Sequence, residues 1–335
     1  MHVPLVLSAL GAVASPLQMT KRTTVTTDLY NDLVYYFQYA SSAYSESCAN
    51  PNGNTLVEEF TDGATYTQGF IARDDTRQEI VVALRGSSSA GDFLTDAELL
   101  LDDYTSPGVT PPANVSAHSG FLNAWNSVAP GIISQVTTQL TSYPGYAIVT
   151  SGHSLGGSLS SLAAMSMKAN FPNNAVRMYT YGQPRTGNDA YAYWVNDQFG
   201  DQAFRSTHTD DGSANQYLDR GVEYWQNPDP ASAATTVVCA ADGEDPTCSA
   251  SIPSEGIDVA HTIVPLHAEA GYLTVTSASR KCHGGRDELR DFNISTLWEV
   301  KSETIQQTQD TKNQHTIEND MKDRASQARP KGVIA

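Results

Sequence analysis

Residues 146–167 read YAIVTSGHSLGGSLSSLAAMSM: an apolar run, a turn on Gly152-His153-Ser154-Leu155-Gly156-Gly157, then small residues with helical spacing. The turn is G-x-S-x-G between a strand and a helix, the arrangement that lifts a serine clear of both elements. A side chain at 152 or 156 would collide with neighbouring backbone, so both positions must be nearly bare. The helix that follows aims its N-terminus, with its partial positive charge, at whatever Ser154 attacks. Ser154 is therefore the candidate nucleophile, and the run before it is a buried strand.

The pattern extends on either side. Ile80-Val-Val-Ala-Leu84 and Val176-Arg-Met-Tyr-Thr-Tyr181 are further runs of strand length, each closed by Gly or a polar turn. Trp125, Val128, Ile132, Ile133 and Val136 recur near the 3.6 period before the Tyr146–Val149 run, as do Leu159, Leu162, Ala163 and Met167 after it. Strands alternating with helices predict an α/β fold with a mainly parallel central sheet covered on both faces.

The two ends have a different character. Val3 to Ala14 is a short apolar segment closed by Ala12-Val13-Ala14, too brief to span a bilayer, which takes about 20 residues. Residues 1–14 read as a signal peptide and 15–22 as a propeptide ending at the dibasic Lys21-Arg22, with the mature chain starting at Thr23. The α/β domain is then 23–279. From Arg280 the chain is polar, with ten Lys and Arg against nine Asp and Glu, and too few apolar residues to offset its ordering entropy. It reads as an appendage over 280–335, with one short helix near 296–308.

The net charge of −17, of which −18 lies before residue 280, excludes a general nucleic-acid binder and docking on anionic lipid by charge. No internal segment is apolar enough to insert stably in a membrane, and a monomer is expected. Four cysteines and the sequons Asn114-Val115-Ser116 and Asn293-Ile294-Ser295 agree with an oxidising, extracellular route. Four cysteines allow three pairings. Cys239 with Cys248 and Cys48 with Cys282 is the preferred one, and spacing alone does not impose it.

A serine needs a base and an orienting acid, in the chain order Ser, Asp, His for this elbow. The histidines beyond Ser154 are His208, His261, His267 and His283, and the acid belongs in Thr207-His208-Thr209-Asp210-Asp211. Four blocks now carry a resemblance: Gly152–Gly157, Tyr179–Arg185, Phe204–Asp211 and Glu223-Tyr-Trp225. In this order they resemble the class 3 lipases of filamentous fungi, a family that also holds feruloyl esterases. The likeness runs from about Thr26 to His261.

That resemblance implies an α/β-hydrolase fold with a lid helix, and assigns roles. Asp211 would be the triad acid and His261 the base; Ser87 of Arg85-Gly86-Ser87 and the Leu155 N–H would form the oxyanion hole. His153 faces away on such an elbow and His208 suits a structural hydrogen bond. Asp210 and His267 are the alternative acid and base. The sequence departs from the family after Asp211, where the loop is short, and after His261, where an aromatic pair and a closing Cys are missing.

Residues 88–101 sit where the family carries its lid. Ala90, Phe93, Leu94, Ala97 and Leu101 recur at helical spacing with Asp92, Thr95, Asp96 and Glu98 opposite, and Ser89 could cap them. Phe93 replaces the family's usual Trp, and Gly91 lowers helix propensity by about 1 kcal/mol. The implied activity is hydrolysis of triacylglycerol at an oil–water interface, without metal or other cofactor. The alternatives are a feruloyl or general carboxylesterase, and a catalytically inactive lipase-like binding protein.

Overall fold

The computed structural model describes residues 23–87, 100–209, 221–228, 230–241, 245–252, 263–265, 272–274 and 282. An eight-stranded sheet dominates them. Helix α1 (Thr27–Ser42) precedes β1 (Thr55–Asp62), β2 (Thr67–Asp74) and β3 (Glu79–Leu84). A two-stranded ribbon of β4 (Leu101–Asp103) and β5 (Ser116–His118) leads into α2 (Ser119–Ser142). Then come β6 (Ala147–His153), α3 (Leu155–Asn170), β7 (Val176–Tyr181) and α4 (Asp189–Phe199). Strands β8 (Ala203–His208), β9 (Val222–Gln226) and β10 (Thr236–Val238) complete the sheet, and β11 (Ile263–Pro265) and β12 (Tyr272–Thr274) form a separate pair.

The strand order is β1-β2-β3-β6-β7-β8-β9-β10. Strands β3, β6, β7, β8 and β9 run parallel, and antiparallel strands close both edges. The apolar run of β3 explains itself in this setting. Ile80, Val82 and Leu84 point into the core under α2, α3 and α4, while Val81 and Ala83 point into the one under α1. A strand buried on both faces has no polar side to alternate with.

The small residues of α3 let it lie close on the sheet. Ser160 donates to the Thr150 hydroxyl at 2.9 Å, and the Thr150 hydroxyl donates to the Ser160 carbonyl at 3.0 Å. On the opposite face α1 is capped by Thr26, whose hydroxyl accepts the Leu29 N–H, and buries Tyr30, Leu33, Tyr36, Phe37 and Tyr39.

The structure corrects one expectation and refines another. Leu101 does not continue a helix: it opens β4 and pairs with His118, because its carbonyl and amide find a ladder partner in the segment before α2. Cys282 lies inside the segment read as a tail, yet it is fully buried, bonded to Cys48, and its carbonyl accepts the Asn50 N–H. The second disulfide joins Cys239 to Cys248, so the cysteines pair in the preferred way. Residues 1–22, most of the lid segment (88–99) and everything beyond 282 lie outside the described residues. Among the described residues no helix is long and apolar enough to cross a membrane.

Candidate active site

The parallel strands β3, β6, β7 and β8 deliver their C-terminal ends to one edge, and Ser87, Ser154 and Leu155 follow the ends of β3 and β6. Ser154 occupies the single residue between β6 and α3. Its φ of 57° and ψ of −130° are a conformation that L-residues with a side chain rarely adopt. Three contacts hold it in this shape. Its amide donates to the Tyr181 carbonyl at 2.9 Å, continuing the ladder to β7 past the strand end; its carbonyl accepts the Gly157 N–H at 2.8 Å; and Gly152 and Gly156 leave room for the turn. A Cβ on Gly156 would lie 2.9 Å from the Arg85 carbonyl carbon and closer still to the Leu84 carbonyl oxygen, so the first turn of α3 rests directly on the end of β3.

Ser87 lies three residues beyond β3, beside the elbow. The ladder pairs Leu84 with Gly152, and just beyond that pair a Cβ on Gly86 would lie 2.6 Å from the His153 carbonyl oxygen. Leu155 is the first residue of α3, where helix amides have no partner within the helix. The structure thus sets Gly86, the residue before Ser87, against His153, the residue before Ser154, with Leu155 directly after the serine. Asp211 and His261 lie outside the described residues, as do the alternatives Asp210 and His267, and the lid positions Ala90, Phe93, Leu94 and Ala97. The chain leaves β8 at this edge through Thr209, two residues before Asp211 in sequence.

His153 belongs to the scaffold. Its ring packs edge-on to Phe37 on the α1 side of the sheet, and its Nδ1 lies 3.0 Å from the Tyr44 hydroxyl. His208 is buried at the end of β8.

The remaining motif blocks also turn out to be buttresses. Gln183 packs under Gly157, where a Cβ would meet the Gln183 Cβ at 3.0 Å, and the Pro184 carbonyl accepts from the Ser158 hydroxyl at 3.0 Å. Glu223 of β9 is buried, accepts from the Thr207 hydroxyl, and faces Arg205 at 3.5 Å on β8. The Trp225 indole donates to the Thr209 carbonyl at 2.8 Å. The last two blocks therefore bind each other across β8 and β9 and fix the strand end that leads to Asp211.

Glu223, Cys239 and Cys248 converge as a candidate metal group. Their chemistry does not fit an ion: the two sulfurs are joined in a disulfide rather than present as thiolates, and Glu223 is engaged by Thr207 and Arg205.

A parallel sheet with helices on both faces and a serine on a tight strand-to-helix elbow defines an α/β-hydrolase. The family model described as "Lipase (class 3)" matches residues 81–214. The secreted alkaline triacylglycerol lipase of Penicillium cyclopium is 29% identical over 275 residues, which cover 78% of this chain and 94% of the relative. The secreted mono- and diacylglycerol lipase A of Penicillium camembertii is 31% identical over 269 residues, 71% of this chain and 85% of the relative. The crystal structure of a triacylglycerol lipase from Penicillium expansum matches with a TM-score of 0.65 at 28% identity, covering 72% of this chain and 94% of that one. This chain belongs to the class 3 lipase family and is a carboxylic ester hydrolase.

Proposed function

We propose that the protein is a secreted triacylglycerol lipase working through Ser154, His261 and Asp211. The Ser154 Oγ attacks the ester carbonyl while His261 takes its proton. His261 then returns that proton to the leaving alcohol as the C–O bond breaks, and water hydrolyses the acyl-enzyme by the same two steps. Asp211 holds the imidazole in the working tautomer and stabilises its cation. Ser87 and the Leu155 N–H receive the oxyanion, with each such donor worth about 3–4 kcal/mol in the transition state.

The observation that carries this reading is the backbone of Ser154, held at φ 57° with bare glycines on either side and the Arg85-Gly86-Ser87 strand end alongside. Family membership and the chain order Ser, Asp, His support the other two members. The proposed lid is the part of segment 88–101 that precedes the exposed Leu100, after which Leu101 opens β4. Export is supported by the apolar N-terminus, the two disulfides and the exposed sequon residue Asn114.

The test is the initial hydrolysis rate against tributyrin concentration across its solubility limit, with Ser154→Ala as the blank. A Ser154-dependent jump when droplets appear supports the lipase reading, whereas saturation below the limit indicates an esterase with an open cleft. The Penicillium camembertii relative, named for mono- and diacylglycerols, favours a second reading in which partial glycerides are preferred. Comparing diolein with triolein separates the two.

A further inference from the structure

Tyr44 lies just past the end of α1, between two loops that the chain order keeps far apart. Its hydroxyl is 3.0 Å from His153 Nδ1 and 3.4 Å from the His153 carbonyl oxygen, the residue immediately before the elbow serine. The same hydroxyl fills the place where a Cβ on Gly86 would stand. One oxygen thus touches the residue before Ser87 and the residue before Ser154.

The neighbours of Tyr44 restrain it. Arg85 sits 5.8 Å above its ring and is itself tied to Gln68 of β2. The Tyr44 amide donates to the Ser41 carbonyl at 3.1 Å, and four residues later the chain is locked by Cys48, bonded to Cys282 and with its amide donating to Glu59. The bridge also explains the second glycine motif: in Arg85-Gly86-Ser87 the middle residue must be bare because the Tyr44 hydroxyl and the His153 carbonyl occupy its side-chain volume.

We infer that Tyr44 is a positioning residue of the oxyanion hole, its hydroxyl pinning the Gly86-Ser87 loop to the His153-Ser154 elbow so that the donors at Ser87 and Leu155 keep a fixed separation. This rests on the proposed role of Ser154 as nucleophile. Without the pin the two loops remain on adjacent strands, but their ends can drift by the few tenths of an ångström to which a pair of transition-state donors is sensitive. The consequence is a loss in kcat rather than in substrate affinity.

The experiment uses the full-length protein with a soluble p-nitrophenyl ester below its solubility limit, active sites being titrated to completion with a phosphonate. Tyr44→Phe, which keeps the ring, should lower kcat per titrated site roughly tenfold or more with KM unchanged within about twofold. In a Ser87→Ala background the same change should cost less than about threefold, because the group it positions is gone. A Tyr44→Phe enzyme with wild-type kcat per site overturns the inference, whatever its Tm, since a packing role moves only stability. Losses that multiply in the double variant overturn it as well. Undiminished turnover by Ser154→Ala would instead remove the reading on which it rests, an outcome recognised without reference to Tyr44.

Discussion

The carbonyl group of Gly156 occupies the place that a Cβ on Gly152 would need, so the backbone of one elbow glycine excludes a side chain from the other. Gly152→Ala should destabilise the fold by about 3 kcal/mol or more, since backbone rather than a movable side chain must give way. Gly131 in α2 is the control, with open space where its Cβ would stand. Gly131→Ala should stabilise by about 0.5–1 kcal/mol through helix propensity and the unfolded chain. Denaturant midpoints that move in opposite directions are expected; a shared sign would refute the steric account of the elbow.

Ser154 stands in a left-handed conformation without being glycine. Ser154→Gly and Ser154→Ala should both abolish ester hydrolysis, but only glycine should relieve the backbone. Strain of this kind costs about 1–3 kcal/mol, partly offset by the entropy glycine loses on folding. Ser154→Gly should therefore melt above Ser154→Ala in calorimetry. Equal melting temperatures would mean that the elbow stores no strain.

Arg205 and Glu223 form a buried pair between β8 and β9, each almost inaccessible to solvent. Replacing Arg205 with Met leaves the Glu223 charge with Thr207 alone and should cost about 3–5 kcal/mol. Replacing both, Arg205→Met with Glu223→Leu, should recover most of that loss. A double-mutant cycle by urea unfolding checks it, and additive losses would show that the pair is not coupled.

His118 caps α2, its Nδ1 accepting the Phe121 N–H at 3.4 Å, and burial holds its imidazole below the ordinary value of 6.5. The unfolded chain therefore takes up the proton first. Stability from this group is present above pH 6.5 and is lost as pH falls through the lower native value. His118→Asn keeps an acceptor at the cap without titrating, so its Tm should decline less than wild type between pH 7.5 and 5. The difference should approach the worth of a helix cap, about 1 kcal/mol. Parallel declines would assign the acid sensitivity elsewhere.

The two disulfides close loops of very different length, with separations of 234 and 9 residues. On the chain-entropy account, removing the Cys48–Cys282 bond by paired Ala substitution should cost about 5 kcal/mol and removing Cys239–Cys248 about 3 kcal/mol. Guanidinium unfolding of both variants tests the order, and a larger loss for the short loop would contradict it.

Much of the site-bearing half was legible because few residue types can build it. Gly152, Gly156 and Ser154 are each dictated by backbone geometry, and Ile80–Leu84 shows no polar alternation because both of its faces are buried. Helix α1 was not read, although Thr26 caps it and Tyr30, Leu33, Val34 and Phe37 follow the helical period. Its tyrosines blurred the signal, since three of them, Tyr30, Tyr36 and Tyr39, serve as core residues. The hairpin of β1 and β2 also passed unread despite the Asp62-Gly63 turn, because β1 is an edge strand whose exposed Glu58 and Glu59 follow one another on opposite faces and break the alternation. The bridge through Tyr44 has no sequence signature, since it joins residues 42 and 109 positions apart that meet only when the sheet is assembled.

The ring closed by Cys48 and Cys282 has a further consequence for the order of oxidation. During synthesis the Cys48 thiol must wait for 234 more residues before its partner exists, and the first other thiols it could meet are those of Cys239 and Cys248. Those two find each other across nine residues, and short loops close far sooner than long ones. The small ring thus withdraws both competing thiols from circulation, so that when Cys282 emerges Cys48 has a single thiol left to meet.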